Sequence, residues 1–460
     1  MAGLFRFHRF LLPLLLIAAL VSTSHAKPQP VVIDLWSQMT SKPNREAFEA
    51  LAERYNRENP GVEVRLLTVP QMHQKLLTAI VGGTPPDVAI YDRFRLAGLA
   101  HRGALMPLDE MAREAGVDVS DFWQAPLDEC RYEGKLYALP VQTDVRVLFY
   151  NKAAFREAGL DPDRPPQTWK ELREYSERLT IEDEDGDIRQ AGFVPFFGFG
   201  NTYLYLYGWQ KGAEYLSADG RRAQLNTQEV RDALKWIHAF MESYGGADRM
   251  GLFRQGAGGV GPLMPFMVET VAMTVTEPSL LSNIRRYTPD LGYGLAPMPW
   301  PEDGVRATWS GGFALVIPEG VPHPEESMKF VAWLTSKEVQ AEYGEMAFQI
   351  PGNRRATETP YYQQDPDMRA LIEEMPYSRH RPVTPVGAIM WDGMLDAWVA
   401  GAKGEDPDMV LGRAEDKVQR ALDSLYSEEA LPTVSAKTLV GSIVLVILGI
   451  VGWREIGRAS

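Results

Sequence analysis

The chain has 460 residues, 45% hydrophobic and 23% charged, enough to bury two or three domain cores. A formal net charge of -14 argues against a nucleic-acid partner, because phosphate backbones select Lys/Arg surfaces. The single cysteine, Cys130, excludes an intramolecular disulfide and a cysteine-built metal site.

The N-terminus reads as an export signal. Arg6 and Arg9 precede a short apolar run, Leu11–Val21, and Ser24-His25-Ala26 offers small residues to a signal peptidase. Residues 1–26 are therefore expected to be removed, and no cysteine follows the apolar run to take a lipid. An α/β pattern begins next. Residues 31–36 (VVIDLW) and 62–69 (VEVRLLTV) read as strands, separated by a helix over 44–59 with Ala47, Leu51 and Tyr55 on one face. A helix over 72–81, a Gly-Gly-Thr-Pro-Pro turn and a third strand, DVAIY, follow. Such alternation implies a mostly parallel sheet, whose ligands meet the loops at the carboxyl ends of strands. Those loops are Ser37-Gln38 and Asp92-Arg93.

The stretch LPVQTDVRVLFYNK, residues 139–152, is a buried-strand pattern preceded by Asp144 and Arg146. The region from about 150 to 300 reads as helix-rich and aromatic. Thr168 with Glu171 forms a capping box, and Thr227 opens a second amphipathic helix that stops at Gly245-Gly246. GGFALVIPEG returns to a strand pattern, and residues 323–347 read as a helical pair. Residues 401–430 read as a polar helix leading through a stalk, 431–437, to an uncharged segment, 438–453. At ~1.5 Å per residue that segment reaches ~24 Å, and a start at Val434 with Lys437 snorkelling lets it cross a ~30 Å hydrocarbon core. Trp453, Arg454 and Arg458 then mark the interface and a short cytoplasmic tail, 454–460.

Catalytic and metal signatures are weak. Gly256–Gly261 has dinucleotide-loop spacing, but Pro262 follows where a helix should start. Residues 181–189 (IEDEDGDIR) lack the closing Glu of a calcium loop and read as a polar turn. The Tyr361-Tyr362 pair lies in a polar stretch and reads as surface, the histidines show no metal spacing, and Ser310 lacks the upstream glycine of a nucleophile elbow. No cofactor, metal or catalytic residue is expected. What remains is a set of aromatic residues near carboxylates and arginine: Trp36, Tyr91, Tyr203, Tyr205, Trp209, Trp300, Trp309 and Trp391. Sugars offer apolar faces for stacking and hydroxyls for planar polar groups, so this composition suits a carbohydrate.

From Val31 to about Tyr426 the chain resembles the family 1 extracellular solute-binding proteins of ABC importers, the maltose/oligosaccharide-binding group. LPVQTDVRVLFYNKAAFREAGLDPDRPPQTWKEL carries the resemblance most specifically. PPDVAIYDRF, VETVAMTV, YGLAPMPWPED, WSGGFALVIP and the run from Ser327 to Arg355 follow in the family's order. The resemblance implies a two-lobed α/β periplasmic-binding-protein fold of type II, with crossovers near 142–146, 309–314 and 350–353. Lobe I would hold 27–143 and 313–349, and lobe II 144–312 and 350–430. It also implies ligand contacts at Asp92, Arg93, Asp144 and Trp391, with looser matches at Trp36, Ser37, Gln38, Tyr203, Tyr205, Glu277, Trp309 and Gly311. The partners implied are a carbohydrate and an ABC permease with its ATPase, the receptor being monomeric, extracytoplasmic, not an enzyme, and here held to the membrane by its C-terminal helix. Two rivals stay open: a membrane-tethered sensor, and a glycoside hydrolase using Asp92 and Asp144 as a carboxylate pair.

Overall fold

The computed structural model describes residues 30–195 and 203–427. The expected signal, stalk, membrane span and tail lie outside the described residues. Among the described residues, no helix is long and apolar enough to cross a membrane.

Two five-stranded sheets organise the chain. The first has the order Val62–Thr68, Val31–Ser37, Val88–Asp92, Phe313–Val316, Leu139–Pro140. Its first three strands run parallel, as the alternation predicted, and Phe313–Val316 runs antiparallel to both neighbours. Helices Lys42–Glu58, Met72–Val81, Pro324–Leu334 and Lys337–Ala347 cover it, uniting Ile33, Leu35, Phe48, Leu76, Ile90, Leu315 and Tyr343 in one core. The second sheet has the order Tyr293–Pro297, Val147–Asn151, Val271–Thr276, Ile188–Phe193, Ile181–Glu182. Val147–Asn151 is antiparallel to both neighbours and wholly buried. A strand covered on both faces reads as a continuous apolar run, which is why 145–150 looked like core. The chain passes between the sheets at 140–147 and 297–313. It returns a third time at Ile350–Pro351, which pairs with Gln142–Thr143. Beyond that pairing Tyr362, Met368 and Leu371 pack with Val145, Val147 and Phe149.

Several local expectations need correction. Tyr362 is fully buried, because helix Pro360–Gln364 turns it inward and its hydroxyl donates to the Gln349 carbonyl at 3.0 Å. Within the expected polar helix over 401–430, residues 407–426 are not polar all round. Helix Pro407–Tyr426 buries Leu411, Ala414, Val418 and Leu422, a helical stripe packed into the second core. Thr168 does cap helix Trp169–Leu179 through Glu171 N–H at 3.1 Å, but the Glu171 carboxylate accepts from Gln167 N–H, one residue before the expected partner. Thr227 precedes helix Gln228–Glu242 without a side-chain cap bond. Residues 181–189 do form a turn: Asp183 accepts from the N–H groups of Asp185 and Asp187 between two short strands.

Candidate functional site

The site grows from the crossovers. Val145 and Val147 point into the core, so alternation turns Asp144 and Arg146 together toward the opposite face. The Arg146 guanidinium hydrogen-bonds Asp144 and lies 4.7 Å from the centre of the Trp309 ring. Its backbone N–H donates to Thr308 Oγ1 at 2.9 Å, and Thr308 Oγ1 donates back to the Arg146 carbonyl at 2.7 Å. Asp144 Oδ1 also accepts from Gly311 N–H at 2.7 Å. A Cβ at position 311 would come within 2.9 Å of Asp144 Oδ1, so any larger residue there would push the carboxylate aside.

A second cluster adjoins the first. Asp92 ends strand Val88–Asp92, and its Oδ1 accepts from Phe94 N–H at 3.1 Å. Arg93 turns inward and is 0% exposed at its side chain. Its nitrogens donate to Glu129 Oε2 at 2.9 Å, to the Gln142 carbonyl at 2.8 Å and to Ser310 Oγ at 3.3 Å, and also to the Gly311 carbonyl. The other oxygen of Glu129 accepts from Arg381 Nε at 3.0 Å, and Arg381 also donates to Asp92 Oδ1 at 3.1 Å. The Arg381 guanidinium lies over Phe94 at 4.7 Å, with Trp309 and Trp391 at 5.5 and 5.9 Å. Burial works against the Arg381 charge, but Glu129 and Asp92 outweigh it and hold the guanidinium above its usual range.

The aromatic residues divide into two roles. Trp391, half-buried on helix Gly387–Ala402, faces Phe94 at 5.3 Å and Trp309 at 5.8 Å. Tyr205 stacks behind it at 6.3 Å but is 1% exposed, wedged against Tyr215 and Trp209 in the second core. Tyr203, at the start of helix Leu204–Gln210, meets Trp309 edge-on at 5.9 Å. Burial pushes its hydroxyl up to about 12 while the Arg146 charge pulls the other way. Glu277 accepts from Ser279 Oγ at 2.7 Å and Thr276 Oγ1 at 3.3 Å. Burial alone would raise its carboxyl, but the Arg146 charge and these hydroxyls bring it below the ordinary carboxylate range.

The structure thus gathers Asp92, Arg93, Asp144, Tyr203, Glu277, Trp309, Gly311 and Trp391 around two arginine-centred networks. Trp36, Ser37 and Gln38 sit at the end of the neighbouring strand, with Ser37 in register with Ile90 and its Oγ accepting from Met39 N–H. Sequence reasoning missed Glu129, Arg381 and Phe94. Glu129 lies on a six-residue helix and Arg381 in an irregular segment, so neither carries a periodic signal. A cavity of about 760 Å³ lies elsewhere: Phe122, Trp123, Glu214, Tyr215, Arg379 and His380 line it, and of the candidate aromatic residues Trp209 alone reaches it. Among the described residues no His, Cys, Asp or Glu group could hold a metal.

Two sheets joined by three crossings, with carboxylates and aromatic rings gathered at the crossings, are the architecture of a two-lobed solute receptor. The chain belongs to the bacterial extracellular solute-binding proteins, whose family pattern matches residues 40–341. A binding protein of Brucella abortus (strain 2308) is 27% identical over 421 residues, covering 88% of this chain and 96% of the relative. The sn-glycerol-3-phosphate-binding periplasmic protein UgpB of Escherichia coli (strain K12) is 25% identical over 364 residues, covering 75% of this chain and 80% of its own. Among solved structures, CpMnBP1 with mannotriose bound superposes with a TM-score of 0.76 at 28% identity, covering 84% of this chain and all of its own. The acarbose receptor GacH of Streptomyces glaucescens shares the fold, with a TM-score of 0.72 at 22% identity, covering 86% of this chain and 99% of its own.

Proposed function

We propose that the protein captures a carbohydrate between its lobes and delivers it to the permease of an ABC importer, whose ATPase drives transport. The observation that carries this reading is the pairing of partly open carboxylates, Asp92 and Asp144, with the half-buried face of Trp391 where the lobes join. Each carboxylate is held by a guanidinium on one side and keeps lone pairs for sugar hydroxyls on the other. Trp36, Ser37 and Gln38 supply the facing wall, and Tyr203, Glu277, Trp309 and Gly311 the floor. Arg93 and Tyr205 brace that floor from behind. Ligand touching both lobes favours the closed arrangement, since only there are all contacts made. On this reading the lobes are 27–143 with 313–349 and 144–312 with 350–430.

The relatives point to two ligand chemistries, a phosphate ester for UgpB and a neutral oligosaccharide for CpMnBP1. A thermal-shift series with uncharged oligosaccharides tests the main reading. A ligand at ~100 times its dissociation constant stabilises by ~2.7 kcal/mol. Absence of any shift across the series contradicts carbohydrate capture, and release of reducing sugar would make the protein a hydrolase instead. We further propose that residues 1–26 direct export and that 438–453 hold the receptor beside its permease, raising its effective concentration there. Fractionation checks this: truncation after Tyr426 is expected to move the protein from membrane to soluble extract.

A further inference from the structure

We infer that the cleft is built for an uncharged carbohydrate and rejects phosphorylated ones, an inference that rests on the receptor reading above. A phosphate ester needs free cationic donors, and guanidinium forks are the group best matched to it. Among the described residues the arginines at the cleft floor are Arg93, Arg146 and Arg381, and all three are already held. Arg93 donates to Glu129, the Gln142 and Gly311 carbonyls and Ser310. Arg381 bridges Glu129 and Asp92 with its flat face against Phe94. Arg146 is paired with Asp144 through one nitrogen, lies over Trp309 and also faces the charge of Glu277; its Nε makes no hydrogen bond but is sealed from solvent.

The balance of charge leans the same way. Four carboxylates, Asp92, Glu129, Asp144 and Glu277, stand against these three arginines, so the floor carries a net negative charge before any ligand enters. A phosphate could recruit Arg381 only by displacing a carboxylate, and could reach the sealed Nε of Arg146 only by entering against the charges of Asp144 and Glu277. Two further basic residues near the end of strand Val88–Asp92 offer little. Arg95 is exposed to water, where its attraction is screened. His73 is half-buried with its hydroxyl partner Tyr91, and burial together with Arg95 and Arg102 holds the imidazole below its usual range, hence neutral at pH 7. Hydroxyls meet no such conflict. They donate to the outward lone pairs of Asp92 and Asp144 and leave both guanidinium pairs in place, while Trp391 stacks on the apolar sugar face.

Titration calorimetry on the full chain separates the possibilities. The probes are mannotriose, maltotriose and two neutral disaccharides on one side, and glycerol 3-phosphate, mannose 6-phosphate and glucose 6-phosphate on the other. The inference expects at least one neutral sugar to bind at least 100-fold more tightly than every phosphate ester. It also expects that affinity to change less than twofold between 50 and 500 mM NaCl. Phosphate-ester binding that equals or exceeds the neutral set, and that weakens with salt, overturns the inference and leaves the receptor reading standing. Heat from neither set overturns the carbohydrate reading itself, and the inference with it.

Discussion

Two carboxylate–guanidinium pairs lie side by side at the floor of the cleft, and they differ in how they are built. Asp144 and Arg146 are two residues apart, and strand alternation alone puts them on one face. Glu129 and Arg381 are 252 residues apart and meet only because the third crossing, at Ile350–Pro351, carries the chain out of the first lobe and Arg381 then packs back against it. The local pair leaves Asp144 partly open to a ligand, whereas the distant pair is sealed. A carboxylate near a crossover can therefore serve the ligand or the hinge, and the number of guanidinium groups holding it decides which. Glu129 is gripped by two arginines and Asp144 by one.

Breaking the sealed pair should have the largest effect. Glu129→Ala leaves Arg93 buried without its counter-charge and Arg381 with Asp92 alone, and is expected to cost ~3–5 kcal/mol of stability, read by urea denaturation. A loss below about 1 kcal/mol would mean that the two arginines find other partners. Tyr205→Ala should behave alike, at ~3–5 kcal/mol, because the ring is core rather than contact surface. Asp144→Asn separates the roles. It keeps the shape and an oxygen for Gly311 N–H and Arg146, and Glu277 still faces the guanidinium, so the fold should survive with a smaller loss of stability than Glu129→Ala. Affinity for a neutral sugar should fall by ~1.5–3 kcal/mol, measured by calorimetry, because hydroxyl bonds to a charged acceptor are lost. Trp391→Ala should be milder, ~0.5–1.5 kcal/mol of affinity from lost stacking, since the ring is only half-buried.

The smallest effect concerns pH. Glu277 has a folded carboxyl below its ordinary value of 4.5. Its stabilising contribution is therefore fully present above about that value in the unfolded chain and is lost as pH falls through the lower folded value. Stability should be flat in this respect from pH 8 to pH 5 and decline below about 4.5, and Glu277→Gln should flatten part of that decline in a pH series of melting curves.

The same contrast explains what could be read from the sequence. Parallel pairing of the first three strands followed from their alternation with amphipathic helices, and helix Met72–Val81 has the bounds that its periodicity predicts. Asp92 and Asp144 were singled out because each lies beside a strand in a stretch that resembles the family, and Trp391 because its separation from Gly404 matches the family's. Glu129 and Arg381 were not, because a buried long-range ion pair looks in sequence like two ordinary surface charges. The stripe Leu411, Ala414, Val418, Leu422 was legible in principle, but charged residues between its members hid it. Tyr362 was misplaced for a related reason: its polar neighbours say nothing about which side of a five-residue helix faces the core.

The most direct measurement is a crystal structure with a neutral oligosaccharide that stabilises the protein. The account predicts sugar hydroxyls within about 3.2 Å of the carboxylates of Asp92 and Asp144, a pyranose ring against Trp391, and the Arg381–Glu129–Arg93 bridge intact behind them. Sugar lodged instead in the groove lined by Trp123, Tyr215 and Arg379, with Asp92 and Asp144 untouched, would contradict it.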